Sequence, residues 1–149
     1  MSTVWKVGSR WSDWGDPKES ILDVFKSYNV VFTYTKQILD ANPEDLVALA
    51  DGYTIISIGK IISYPQKIKA MDIVFSEEDK KKSFYDDTVC GCRVKFYCWL
   101  DRKTNLYYWL NRKMTTGPIT YSKRGQFCHA VAIEAEINDL FNTYTGGDK

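Results

Sequence analysis

The chain has one histidine, four cysteines, four prolines and no strong excess of either charge. With a single His, the spacing of candidate residues supports no Ser or Cys catalytic triad. The phosphate-binding patterns G-x-x-x-x-G-K-[ST] and G-x-G-x-x-G are absent from the sequence, and so is a paired acidic motif before a strand lysine. The sequence therefore predicts a protein that is not an enzyme and needs no cofactor.

Long hydrophobic runs are also missing. No segment approaches the roughly 18 apolar residues that span a bilayer, and the first ten residues lack the apolar region of a signal peptide. We therefore expect a cytoplasmic protein with no membrane partner. A chain of 149 residues with 44% hydrophobic residues is long enough for one core. We accordingly expect one domain over residues 1–149.

The net charge of +1 provides no global cationic field, so any binding of nucleic acid requires a local basic patch. The segment from Glu77 to Lys82 carries both signs of charge, which predicts a solvated turn or a short exposed helix. Aromatic residues, by contrast, are abundant, at 15% with five Trp and ten Tyr.

A β-hairpin is predicted near the middle of the chain. Two apolar runs, Leu46 to Ala50 and Tyr53 to Tyr64, flank Asp51-Gly52, and Asp-Gly between such runs is a strong turn signal. Alternation predicts that Thr54, Ile56 and Ile58 share one face of the second strand. After Gly59 the alternation of side chains reverses its phase, since the next apolar position of the pattern is Ile61.

A Gly at a change of phase predicts a bulge or a close backbone approach. Lys60 beside it is a candidate ligand contact, although a lysine at a strand edge is more often simply solvated.

Three helices are predicted from spacing and boundary residues. The first runs from Pro17 to about Ser27, with Asp16 as its N-cap. A short helix follows Thr35 and ends near Ala41. Helical spacing then recurs from Ile133 to Tyr144. The residues expected on the buried face of the first helix are Ile21, Leu22, Phe25 and Tyr28.

The run from Thr88 to Leu100 predicts a strand with two unlike faces. The apolar face would hold Cys90, Cys92, Val94, Phe96, Cys98 and Leu100. The other face would hold Arg93, Lys95, Tyr97 and Trp99. This second face is either a solvated amphipathic surface or a place where cations meet phosphates and rings meet bases.

The cysteines of this strand, together with Cys128 or His129, are the candidate zinc ligands. No pair has the C-x-x-C spacing of a zinc knuckle, and free Cys packs as a small hydrophobe. We therefore expect neither a metal site nor disulfides.

The loop from Gly8 to Gly15 places Trp11 and Trp14 near Arg10. These indoles either fold back as a lid over the core or form a cage around a ligand. The sequence leaves both alternatives open.

The order of these features resembles the PUA-like superfamily, in particular EVE-type domains that accompany prokaryotic modification-dependent restriction systems. The features are a strand with Trp5, the loop Gly8-Ser9-Arg10-Trp11, a helix, the segment LVALADGYTIISIGKIISYP and the strand KRGQFCHAV. The resemblance implies an α+β fold with a small mixed β-barrel, flanking helices and a pocket for a flipped, modified base.

Carried over by position, the resemblance implies that the Gly8 to Trp11 loop borders the pocket. Gly59 and Lys60 would lie on the barrel strand beside it, and Lys123 and Arg124 would form a basic stretch near the last strand.

Together these features predict a non-enzymatic module that binds nucleic acid, DNA or RNA, and recognises a modified base in an aromatic pocket; an effector protein or subunit is a candidate partner. The alternative is a protein-interaction domain with an exposed Trp and Tyr surface. The predicted ligand-binding residues are Trp5, Gly8, Ser9, Arg10, Trp11, Trp14, Gly59, Lys60, Arg93, Lys95, Trp99, Lys123 and Arg124.

Overall fold

The computed structural model describes residues 2–11, 19–34, 36–51, 54–99, 127–129 and 133–145. Its strands are β1 (Val4–Gly8), β2 (Arg10–Trp11), β3 (Glu19–Ser20), β4 (Val30–Thr33), β5 (Leu46–Asp51), β6 (Thr54–Ile61), β7 (Gln66–Lys67), β8 (Cys90–Trp99) and β9 (Phe127–His129). Its α-helices are α1 (Leu22–Tyr28) and α2 (Glu134–Thr145), and 3-10 helices cover Lys36–Asp40, Ile68–Ala70 and Asp79–Lys81. The predicted short helix before Ala41 is therefore confirmed as a 3-10 helix.

One mixed sheet organises the fold, with the strand order β4-β8-β6-β5-β1-β9 and with β7 also paired to β8. Strands β1 and β5 are parallel, and the other pairs are antiparallel. The short β2-β3 ribbon is separate. The sheet curls as a half-barrel with two helices, which confirms the predicted α+β class and the barrel-like architecture.

Alternate residues of the central strands pack into two different cores. On β5, Val47 and Leu49 join the first core, whereas Leu46, Ala48 and Ala50 join the second. The first core also contains Val24 and Phe25 of α1, and the second contains Ile137 and Leu140 of α2. Because side chains alternate across a strand, the two helices cover opposite faces of the sheet.

The predicted hairpin is formed by β5 and β6, and it differs from the prediction in two details. Asp51 pairs with Thr54, so it is the last residue of the strand rather than part of the turn. The register between β5 and β6 shifts by one residue at Ile56. As a result Ile55 and Ile58 pack into the second core while Ile56 packs against the first, and the predicted common face of Thr54, Ile56 and Ile58 is wrong.

Helix α1 begins at Leu22 rather than at Pro17, so the first part of the predicted helix is wrong. Glu19 pairs with Trp11 in the β2-β3 ribbon, and the Ile21 amide donates to the Ser9 carbonyl at 3.0 Å. These hydrogen bonds join residues that are distant in the sequence. They override the local preference for a helix that starts at Pro17 with Asp16 as its N-cap, because local propensity is weak compared with tertiary contacts. Asp16 and Pro17 lie outside the described residues.

The segment between β7 and β8 contributes aromatic side chains to the first core, which the charged composition of this region did not predict. Phe75 and Phe84 are 2% and 0% exposed, and the Phe84 ring stacks on Phe32 with 4.5 Å between centroids. The charged run itself does form a short 3-10 helix, Asp79–Lys81, as expected.

Helix α2 is confirmed close to its predicted bounds and is attached to the start of the chain. The Ser2 amide donates to Asn138 Oδ1 at 2.9 Å, and Asn138 Nδ2 donates back to the Ser2 carbonyl at 2.8 Å. The Val4 amide donates to Glu134 Oε2 at 3.1 Å. None of the helices in the described ranges is long and apolar enough to cross a membrane.

Candidate functional site

Strand β8 is the longest strand of the described sheet, and it changes partners along its length. Its first half pairs with β4, where Arg93 lies opposite Val30. Its second half pairs with β6, where Val94 lies opposite Ile61. At the changeover, the Val94 amide donates to the Asn29 carbonyl, just beyond the end of α1, at 3.0 Å.

A bulge in β8 overturns the predicted division of this strand into two continuous faces. The register with β6 pairs Ile58 with Cys98 and Gly59 with Phe96, so Tyr97 is the extra residue. A bulge of this kind reverses the side-chain alternation that follows it. Cys92 therefore packs in the first core and Cys98 in the second.

The bulge also separates the rings of the predicted basic and aromatic face. The Trp99 ring lies beside Phe96, with 5.3 Å between centroids, whereas Tyr97 makes an edge contact with Phe141 of α2 at 5.0 Å. The Lys95 ammonium lies 4.9 Å from the Tyr97 ring centroid.

Trp99 is the exposed indole of this region. Its side chain is 41% exposed, and the Lys26 ammonium of α1 lies 4.4 Å from its ring centroid. A cation at this distance is attracted to the electron-rich face of the indole.

An open groove of about 350 Å³ lies where the end of α1 meets β8. Its lining includes Tyr28, Asn29, Ile62, Arg93, Lys95 and Phe96. We refer to the groove together with Lys26 and Trp99 as the α1-β8 surface.

Arg93 is held in this surface by neutral partners. Its amide donates to Ser63 Oγ at 2.8 Å, and its guanidinium donates to the carbonyl oxygen of Asp72. Because neither partner is a carboxylate, its charge is not neutralised by these contacts.

Tyr28 is held rigidly at the edge of the same groove. Its hydroxyl donates to Asp79 Oδ2 at 2.7 Å and accepts from the Ser76 amide at 3.1 Å, and its ring lies 4.7 Å from Phe75. Hydrogen bonds from Lys82 and Tyr28 hold the pKa of Asp79 below its ordinary value, so this carboxylate accepts from Tyr28 across the neutral pH range.

Gly59 and Lys60 lie on β6 beside β8. A Cβ at Gly59 would come within 2.6 Å of Val94 Cγ1 and 2.9 Å of the Lys95 carbonyl oxygen, which confirms the close backbone approach expected there. Lys60 is ion-paired with Glu44 at 3.1 Å and lies 5.8 Å from the Phe141 ring of α2.

The predicted pocket residues of β1 are buried. Trp5 is 7% exposed in the first core, and its indole N–H donates to Asp45 Oδ2 at 3.0 Å. Gly8 is buried at the end of β1. Ser9 is fully buried, and its amide donates to the Ala50 carbonyl at 2.9 Å.

Arg10 and Trp11 are described only by their backbone, which pairs with Ser20 and Glu19. Trp14, Lys123 and Arg124 lie outside the described residues. The strand that contains Cys128 and His129 is placed by its backbone, with His129 opposite Trp5.

The described cysteines are free thiols that pack as apolar residues. Burial raises the pKa of Cys92 to about 12 and also raises the pKa of Cys98. Within the described ranges, no group of three His, Cys, Asp or Glu side chains is placed to hold a metal ion.

Sequence reasoning missed Lys26 and Tyr28 as part of this surface, and it assigned Phe96 to the apolar face alone. The one available signal was that Lys26 and Tyr28 stand at the end of a helix that leads into β4. It also missed Lys6, which is 1% exposed on β1 between Val4 and Gly8. No sequence pattern pointed to a buried lysine there.

Comparison with known proteins gives a structural likeness. No family model matches the chain, and no curated protein matches it. The crystal structure of the MmI1 YTH domain is similar, with a TM-score of 0.56 over 95% of this chain and 96% of that chain. The sequence identity is 13%, so the likeness concerns the fold. It does not confirm the PUA-like or EVE-type resemblance predicted from the sequence.

Proposed function

We propose that this protein is a non-enzymatic module that binds nucleic acid and recognises a modified base, for example a methylated one. The observation that carries the proposal is the exposed indole of Trp99 with the Lys26 ammonium 4.4 Å from its ring centroid. A ring paired with a cation at the surface is suited to a base and its phosphate, because the base stacks while the cation meets the backbone.

The rest of the α1-β8 surface supports the same function. Arg93 and Lys95 line the groove beside Phe96, and their contacts are with carbonyl, hydroxyl and ring partners. Such a local patch suits a chain whose net charge is only +1, because a few phosphate contacts are enough for moderate affinity.

We assign the modified base to residues 8–15, of which Arg10 and Trp11 form strand β2, as the PUA-like resemblance implies. In this proposal Arg10, Trp11 and Trp14 contact the base, and Trp5 and Gly8 of β1, with Ser9 directly after it, lead into this segment. Gly59 and Lys60 support the neighbouring strands, and Lys123 and Arg124 add phosphate contacts.

Trp11→Ala tests the assignment of the base. If Trp11 stacks on the base, the variant keeps the parent's melting temperature and loses about 1 to 3 kcal/mol of affinity for a modified oligonucleotide. If Trp11 is instead a lid on the core, the variant loses about 3 to 5 kcal/mol of stability. A stable variant that binds as tightly as the parent removes Trp11 from the site.

A second candidate function is a protein-interaction domain, which the exposed apolar residues of the loops favour. Ile62, Tyr64 and Val74 are 52%, 70% and 90% exposed. A protein-binding role predicts that Tyr64→Ala weakens capture of an effector subunit while oligonucleotide affinity is unchanged. Oligonucleotide binding that depends on Trp99 and not on Tyr64 would favour the first function.

A further inference from the structure

Three basic side chains come together on one face of the sheet, where β6 pairs with β8. Lys60 lies directly opposite Lys95, and two positions away on each strand the Ile62 amide donates to the Arg93 carbonyl at 2.9 Å. Residues directly opposite each other share a face, and so do residues two apart on one strand. We refer to Lys60, Lys95 and Arg93 as the β6-β8 cation cluster.

The β6-β8 cation cluster lies on the face of the sheet that carries α2. The Lys60 ammonium is 5.8 Å from the Phe141 ring centroid, and the Lys95 ammonium is 4.9 Å from the Tyr97 ring centroid. The two rings are in edge contact, with 5.0 Å between centroids, so they hold the two ammonium groups beside each other. Trp99 contacts Phe96 and α1 on the opposite face and is not part of the cluster.

The cluster concentrates like charges. Two lysines directly opposite each other on neighbouring strands repel, which destabilises a sheet, and Arg93 adds a third cation at the diagonal position from Lys60. The Arg93 guanidinium donates to the carbonyl oxygen of Asp72. In the part of the chain that the structure describes, neither Arg93 nor Lys95 is ion-paired with a carboxylate. An anion bound here would relieve the repulsion.

A ligand can reach the cluster from solvent. Lys95 is exposed and Arg93 is half-buried, and both line the open groove of about 350 Å³. Ile62, which borders the same groove, is 52% exposed. The Lys60 side chain is 22% exposed. The groove thus gives an anion access to the cations of β6 and β8 together.

One carboxylate of the protein already competes for this cluster. Glu44 Oε2 lies 3.1 Å from the Lys60 ammonium, and the Glu44 side chain is 77% exposed. Glu44 has a φ of 80°, a left-handed conformation that is uncommon for a residue with a side chain. Its amide donates to the Ile61 carbonyl at 2.9 Å, and the Ile61 amide donates to the Asp45 carbonyl at 2.8 Å. The fold therefore holds this glutamate beside Lys60 at a conformational cost.

We propose that the β6-β8 cation cluster binds backbone phosphates of nucleic acid, and that Glu44 is an internal competitor that a phosphate displaces from Lys60. Three cations and one carboxylate leave a charge of +2, which matches two backbone phosphates of one charge each. An exposed ion pair is weak, whereas Lys and Arg form strong charge-assisted hydrogen bonds with phosphate oxygens. The inference rests on the proposed function but adds the residues, their face of the sheet and a built-in competitor.

The test measures binding of a fluorescein-labelled, unmodified nine-nucleotide oligo(dT) by anisotropy at several salt concentrations. Glu44→Gln should raise the affinity about 2- to 5-fold, because it frees Lys60 from an exposed ion pair worth up to about 1 kcal/mol. Asp87→Asn is the matched control, since it removes the same charge from the exposed ion pair of Asp87 with Lys69, outside the cluster. It should keep the parent affinity.

Lys60→Gln and Lys95→Gln remove one cluster charge each and keep most of the aliphatic stem. Each should make the slope of log affinity against log salt shallower by about 0.7, the contribution of one phosphate on a single strand. Lys36→Gln, at an exposed position of a 3-10 helix, should keep the parent slope. In the Lys60→Gln background, Glu44→Gln should no longer raise the affinity, because its partner is already gone. Melting temperatures check that every variant is folded.

The proposal would be overturned by no binding of oligo(dT) to the parent, by an unchanged affinity in Glu44→Gln, by an equal gain in both backgrounds, or by parent slopes in both cluster variants. Displacement of oligo(dT) by an equal concentration of a nine-residue oligoglutamate peptide would also overturn it, in favour of an acidic protein partner. Because the probe carries no modified base, these failures are distinct from failure of the proposed function, which would be seen as equal binding of modified and unmodified oligonucleotides.

Discussion

At the scale of single residues, buried polar groups of the first core depend on a few specific partners. Asp45 accepts from the Trp5 indole at 3.0 Å and from the Asn42 amide at 2.9 Å, both through Oδ2. Trp5 is 7% exposed, so its N–H has little access to water if that partner is removed. Trp5 thus combines apolar packing with one hydrogen bond.

Asp45→Ala should therefore destabilise the protein by about 1 to 3 kcal/mol, the cost of a buried donor left without its acceptor. Urea denaturation measures the change. Asp40→Ala is the control, because Asp40 is exposed and the described structure gives its carboxylate no hydrogen bond. It should change stability by less than about 0.5 kcal/mol. Equal losses in the two variants would show that the Asp45 contact is unimportant.

The cysteines give a second prediction at this scale. Because only the thiolate is a good nucleophile and burial raises the pKa of Cys92 to about 12, Cys92 should stay unmodified by iodoacetamide at pH 8 in the folded protein. Half-buried Cys90 should react before it. Peptide mass spectrometry after timed labelling measures both, and faster labelling of Cys92 than of Cys90 would contradict the packing described.

At the scale of elements, the bulge in β8 is what positions the α1-β8 surface. It turns Trp99 toward Phe96 and α1, and it sends Tyr97 toward Phe141 of α2. The residue opposite Phe96 on β6 is Gly59. The absence of a side chain at this position lets β6 and β8 approach each other.

Gly59→Ala should therefore be destabilising, by about 1 to 3 kcal/mol. The added methyl would meet Val94 Cγ1 at 2.6 Å and the Lys95 carbonyl at 2.9 Å, and the backbone atom cannot simply rotate away. Lys67→Ala, at an exposed strand position on β7, is the control and should be nearly neutral. The comparison is made by thermal unfolding, and an unchanged melting temperature for Gly59→Ala would contradict the close approach.

Sequence patterns predicted those elements whose signals are local. The β5-β6 hairpin and α2 follow from alternation, helical spacing and turn residues, and both are confirmed. The start of α1 was wrong, because pairing of Glu19 with Trp11 depends on residues that meet only in the fold. The bulge at Tyr97 was missed for the same reason, since nothing in the β8 sequence alone marks the extra residue.

The candidate site could be predicted only in part. Arg93, Lys95 and Trp99 were predicted as ligand contacts from the interleaving of cations and rings on one strand, and they stay a prediction. Lys26 and Tyr28 belong to a different element and reach the site through packing. The position of both residues at the end of a helix is the one signal in the sequence, and it does not specify their contact with β8.

At the scale of the whole molecule, one curled sheet carries two cores, and each core is covered by a different helix. The fold is like that of the MmI1 YTH domain at a TM-score of 0.56. With a net charge of +1, the molecule as a whole does not attract polyanions. We therefore propose that binding depends on a local surface and selectivity on a pocket for one base.

The most direct test of this account is a Trp fluorescence titration with pairs of oligonucleotides, DNA and RNA, that differ only in one methylated base. We expect at least one modified oligonucleotide to bind about tenfold or more tightly than its unmodified partner, because one methyl-sized group in an apolar pocket is worth about 1 to 3 kcal/mol. Equal affinities for every pair, or no binding at all, would contradict recognition of a modified base.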